Sequence, residues 1–126
     1  MPLRHVGLFG TSRDLAPAAQ SISDLAQDEP HQHEANLIAY LRGATMVMPW
    51  METTVDVVGG TFQSDGGSAL MSDGLWVWRW DLADYLMAYH VELPPEFVAH
   101  CESKGFQPDR MTDADVSAVE LELMGS

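Results

Sequence analysis

The run from Ala69 to Gly105, ALMSDGLWVWRWDLADYLMAYHVELPPEFVAHCESKG, constrains the fold more tightly than any other part of the chain. Asp73-Gly74 stands between two apolar runs, a strong short-range signal for a hairpin. Asp-Gly predicts a tight type I′ turn, because both central residues of that turn need positive φ. Strands are therefore expected over 68–72 and 75–79. In the second, Leu75 and Val77 point to one side and Trp76 and Trp78 to the other, so both faces of this strand are apolar. A sheet covered by helices on one side only would leave one of these faces open as a patch. A second layer of chain over it, such as the N-terminal segment, would bury it instead.

A helix follows directly. Leu82, Tyr85, Leu86 and Tyr89 fall at i, i+3, i+4 and i+7, which predicts one buried face over Trp80 to His90. Asp81 and Asp84 lie in its first turn, where the helix dipole favours acids. Val91-Glu92-Leu93 is an extended link, held out of helix by the proline that follows it. Pro95 opens a further helix over 95–104, with Phe97, Val98 and Cys101 inward and Gly105 as its stop.

Upstream, Leu37, Ile38, Tyr40 and Leu41 predict a helix over 33–42, with Gly43 as its cap. A less regular helix is expected over 17–27, with Pro17 near its start and Asp28-Glu29-Pro30 as its break. Residues 1–13 are poorly patterned; Gly7, Gly10, Thr11 and Ser12 fit a loop or a short edge strand. Thr45 to Trp50 and Thr53 to Val58 are strand-like. Pro49 cannot donate to a ladder, so the first of these is placed at an edge or carries a bulge. Gly59-Gly60 and Ser64-Asp65-Gly66-Gly67 mark a glycine-rich connection, consistent with a hairpin that has a long loop. The tail supports two readings. Thr112-x-x-Asp115 resembles a cap that would start a helix through Met124, whereas Val119 to Leu123 alternate as a strand does. Helix with frayed ends is preferred. The resulting expectation is one α+β domain over 1–126. It has an antiparallel sheet of about four strands in the region 44–79 and three to four helices packed mainly on one face.

The charge restricts the partner. Nineteen acidic residues against six basic ones give a formal net charge of −13. That field repels phosphate, so nucleic acid and anionic membrane are not expected partners, whereas a basic protein is. No run approaches the length of a membrane span, and the N-terminus lacks the pattern of a secretory signal. The single cysteine, Cys101, permits no intramolecular disulfide and fits a reducing, cytoplasmic setting.

No constellation of residues spells out a reaction. His31-x-His33-Glu34 is the one compact cluster of metal-ligand type, and it lacks a second cluster at matching spacing. His100 and Cys101 are helix neighbours that point apart, so they form no nucleophile–base pair; Cys101 is expected to fill the core. The glycine pairs lack the Lys-Ser/Thr ending of a phosphate loop. No cofactor and no metal is expected.

The segment Met71 to Phe106, with its outline SDG-LWVW-R-DLADYL-Y-HVELPPEF, resembles small acidic bacterial proteins of unassigned function, some of them immunity-protein-like. The likeness covers about a third of the chain and lies mainly in turn, core and cap residues. It implies a cytosolic α+β protein that binds a cognate toxin domain and blocks its active site. The expected partner surface comprises Asp81, Asp84, Glu92 and Glu96 as acidic contacts, with Trp76 and Trp78 as aromatic anchors. Two other readings stand beside it: an accessory subunit or homodimer joined through the tryptophan-bearing sheet face, and a small metal-dependent enzyme using His31, His33 or His90.

Overall fold

A computed structural model describes residues 3–6 and 19–125. The elements run β1 (Arg4–His5), α1 (Ala19–Leu25), α2 (Glu34–Gly43), β2 (Thr45–Met48), β3 (Thr53–Val55), β4 (Gln63–Asp65), β5 (Leu70–Ser72), β6 (Trp76–Arg79), α3 (Leu82–Tyr89), α4 (Pro95–Ser103) and α5 (Asp113–Gly125). The class is α+β. Pro17 and the residues Gly7, Gly10, Thr11 and Ser12 lie outside the described residues. Among the described residues, no helix is long and apolar enough to cross a membrane.

The main sheet has four strands in the order β1-β6-β5-β2. It is mixed, not antiparallel as expected. β1 runs parallel to β6, with Arg4 opposite Trp76 and His5 opposite Val77. A two-residue strand so far away in sequence carries no periodicity, so only its long-range pairing reveals it. The expected strand at 53–58 also leaves this sheet. β3 pairs with β4 in a separate two-stranded ribbon, inserted between β2 and β5. The long loop of the expected hairpin thus has its own small hairpin. β2 lies at the sheet edge, and its register against β5 shifts between Met46 and Met48, just before Pro49. Edge position and irregularity both accommodate a residue that cannot donate.

The β5–β6 hairpin forms as expected, but its turn is centred one residue later. Ser72 pairs with Val77, and only Gly74 of the turn has positive φ. Positive φ at the first central position is the pattern of type II′ rather than type I′. The Asp73 side chain explains the displacement. Its Oδ1 accepts the N–H groups of Leu75 at 3.0 Å and Trp76 at 2.8 Å, which folds the turn around the aspartate.

β6 is buried along its whole length, on both faces. Trp78 has no exposed surface; its ring lies near Phe97 and Tyr40, and its indole N–H donates to the Leu41 carbonyl at 3.1 Å. Trp76 packs on Phe97, and the Arg4 guanidinium sits 4.3 Å above its ring. The apolar side chains of α2, α3 and α4 close over this sheet, with Leu37, Tyr40, Leu41, Leu82, Tyr85, Leu86 and Phe97 in one continuous core. Cys101 is also fully buried there. The tail is helix. Thr112 N–H donates to Asp115 Oδ2, and Asp115 N–H donates back to Thr112 Oγ1, a reciprocal cap at 3.0 and 3.1 Å.

The ribbon is fastened to α3 by polar groups. Thr54 donates to Asp81, the Ser64 hydroxyl donates to Asp84, and the Val57 N–H donates to the Tyr85 hydroxyl oxygen. The loop after β3 is organised around buried Asp56. That carboxylate accepts the N–H groups of Val58 (2.8 Å), Gly59 (3.3 Å) and Thr61 (3.0 Å), together with the hydroxyls of Thr61 and Tyr89. Burial by itself pushes the Asp56 carboxyl up. The donors from Tyr89, Thr61 and Val58 outweigh it and bring the pKa down to about 2.

Candidate functional site

Two backbone bonds create a groove beside the helices. Gln27 N–H donates to the Tyr89 carbonyl at 3.1 Å, and Glu92 N–H donates to the Leu25 carbonyl at 2.8 Å. They tie the exit of α1 to the link between α3 and α4. A third tie fixes the opposite wall. His90 ends α3 in a left-handed conformation, φ 52°, and its N–H bonds the Leu86 carbonyl. That geometry swings the ring towards α2, where Nδ1 meets both oxygens of Glu34, at 2.8 and 3.1 Å.

The resulting cavity has a volume of about 620 Å³. Its floor is made of buried Leu37, Leu86, Val91 and Leu93, with half-buried Val98 beside them. Its rim carries Asp28, Glu29 and Glu92, all exposed, and His31 and His90 also line it. None of these three carboxylates has an ion-pair partner among the described residues. Glu34, by contrast, is occupied by His90. An apolar floor under unpaired acids suits a cationic, partly apolar ligand.

A second cavity, of about 420 Å³, opens beside the β5–β6 turn and α5. Asp73 lies at its back. Tyr40 donates its hydroxyl to Asp73 Oδ2 at 2.6 Å, and His100 Nε2 lies 3.0 Å from the same oxygen. With the two turn N–H groups on Oδ1, the carboxylate is fully engaged in holding the turn. Burial, reinforced by the Asp73 charge, raises the Tyr40 pKa, so its hydroxyl stays a donor. Burial first, and then the Asp73 charge, push the Cys101 thiol up to about 12, so it carries no thiolate at neutral pH. Across the described residues no group of three or more His, Cys, Asp or Glu is arranged to hold a metal ion. His33, from the one sequence cluster of ligand type, instead lies near the Phe106 ring, 5.2 Å between centroids.

The six residues expected to form one partner surface are dispersed. Glu92 lies on the groove rim, and Glu96 is exposed in the first turn of α4. Asp84 is largely used internally, by Arg42 at 3.0 Å and by Ser64. Asp81 is only 1 % exposed. It holds the N-cap position of α3 but makes no capping bond there; its two oxygens take Arg79 Nε at 3.1 Å and Nη2 at 3.0 Å. Burial raises the Asp81 pKa, and Arg79 opposes that rise. Asp81 is therefore corrected from surface contact to buried ion-pair partner. Trp76 and Trp78 are corrected likewise, from anchors to core, because α2 and α4 cover the face that carries them. The tryptophan-bearing face named in the alternative reading of an accessory subunit or homodimer is likewise covered at Trp76 and Trp78. Trp50 is the tryptophan left outside, 55 % exposed.

In the sequence Asp28-Glu29 reads only as a helix break, and His90 reads as a helix end or as one residue of a metal site, not as part of a groove. The signal for the groove was thin: two acids at the end of one helix and one in a proline-bound link, brought together solely by tertiary packing. Comparison of the chain with protein-family models, curated proteins and solved structures finds no significant match.

Proposed function

We propose that this chain is a non-enzymatic binding protein that docks a basic protein partner on the acid-rimmed groove. In its concrete form the reading is an immunity-type protein of the cytoplasm that neutralises a basic toxin domain. The observation that carries it is the set of carboxylates Asp28, Glu29 and Glu92, without ion-pair partners among the described residues, standing over an apolar floor. The chain's own cations are largely spent elsewhere: Arg42 on Asp84, Arg79 on Asp81, Lys104 on Asp109, and Arg4 on Trp76. A net charge of −13 then acts outward, steering a cationic surface into place and opposing the positive cleft of, for instance, a nuclease.

The test is kinetic. The purified chain is measured against a panel of basic nuclease-type toxin domains, at low and high salt. Asp28→Lys with Glu92→Lys should lower the on-rate by about tenfold at low salt and flatten its salt dependence. An unchanged on-rate in the double variant overturns the reading.

A further inference from the structure

We infer that the groove is a receptor for one long cationic side chain, lysine or arginine, presented by an extended segment of the partner. The inference rests on the groove being the docking surface, and it names what enters it. Four buried aliphatic residues, Leu37, Leu86, Val91 and Leu93, form the floor, while the acids stand only at the rim. A ligand that satisfies both layers needs an apolar stem several carbons long and a positive tip. Lysine and arginine have that shape, and both lay their methylene stems on apolar surface while the charge stays near water.

The other residue types fail on one layer or the other. An aromatic or aliphatic side chain would cover the floor and leave Asp28, Glu29 and Glu92 without a counter-charge. A short cation would meet the rim and leave the floor wet. A phosphorylated or acidic segment is repelled by the rim. Among the described residues no lysine or arginine lines the groove to compete for that place. Glu34 is not part of the groove lining, and both its oxygens face His90 instead. The volume of about 620 Å³ leaves room for the backbone flanking the inserted side chain.

The test uses capped tripeptides, Gly-X-Gly, titrated into the full chain with methyl-detected NMR. X is lysine, arginine, norleucine (stem without charge) or diaminopropionate (charge without stem). Lysine and arginine peptides should shift the methyls of Leu37, Leu86, Val91 and Leu93 and bind at least tenfold more tightly than the other two. Glu92→Gln should weaken the lysine peptide and leave the norleucine peptide unaffected. Equal binding of lysine and diaminopropionate, shifts confined to residues outside the groove, or no saturable shift up to about 10 mM peptide, the weak end of measurable affinity, would each overturn the inference. The two readings fail separately. A toxin domain whose on-rate depends on Asp28 and Glu92, with no stem preference in the peptides, keeps the docking surface and removes the side-chain pocket. Lysine-selective peptides with no toxin engagement keep the pocket and remove the immunity reading.

Discussion

Replacing Asp56 by asparagine isolates one buried charge with little change of shape. In the folded chain its carboxyl is held at about 2, against an ordinary value of 3.8. A difference of that size corresponds to about 2 kcal/mol of stability, since one pKa unit is worth about 1.4 kcal/mol. The sign follows from the depressed folded-state value. The contribution is complete above the unfolded pKa of 3.8 and is lost as pH falls through 2. About half of it is gone by pH 3. Asparagine offers one acceptor oxygen where the carboxylate offers two. If that oxygen keeps the Thr61 and Tyr89 donors, the Val58 N–H faces an amide nitrogen, at a further pH-independent cost of about 1 kcal/mol. Urea unfolding of the wild type and Asp56→Asn at pH 6, 4.5 and 3 checks this. The gap between them should be about 3 kcal/mol at pH 6 and should narrow by about 1 kcal/mol at pH 3. A gap that stays constant across this range would show that the five donors around Asp56 do not favour its charged form. The argument from hydrogen bonds to pKa would then be wrong.

Two further outcomes follow from the buried groups. Asp81→Asn strips the counter-charge from buried Arg79 and should cost about 3–5 kcal/mol in denaturant unfolding, whereas Arg79→Met with Asp81→Leu should recover much of that loss; equal loss in the single and double variants would refute the pairing. Trp78→Ala should cost about 3–5 kcal/mol, as large-to-small changes in a packed core do, while Trp50→Ala should change stability by less than about 0.5 kcal/mol.

The local grammar of this chain is strong and its long-range grammar is faint. Pro95, the Thr112–Asp115 cap and the apolar stripe of α3 each specify an element through neighbours within one or two turns, and each forms where the residues indicate. The β5–β6 hairpin belongs to the same group, although Asp73 moves its turn by using its side chain as an extra acceptor. Pairing across the sequence is different. Arg4–His5 is too short to show alternation, so its parallel seat on β6 has no sequence mark. Thr53 to Val55 read as a strand and are one, but nothing local separates a strand of the main sheet from a strand of a side ribbon. The acids illustrate the same limit. Asp81 and Glu92 look equivalent in sequence, yet Arg79, two residues from Asp81, draws it inward, while Glu92 lies on the link that borders the groove. Burial of a charge depends on which partner the fold delivers, and composition does not record that.

Cys101 has a practical consequence. The only thiol of the chain is sealed among core side chains and resists ionisation. Maleimides and spin-label reagents therefore find an outer surface that is chemically silent. A reporter cysteine placed at Met51, which is 95 % exposed, would take up label alone, and its signal could follow a partner's arrival without a background to subtract.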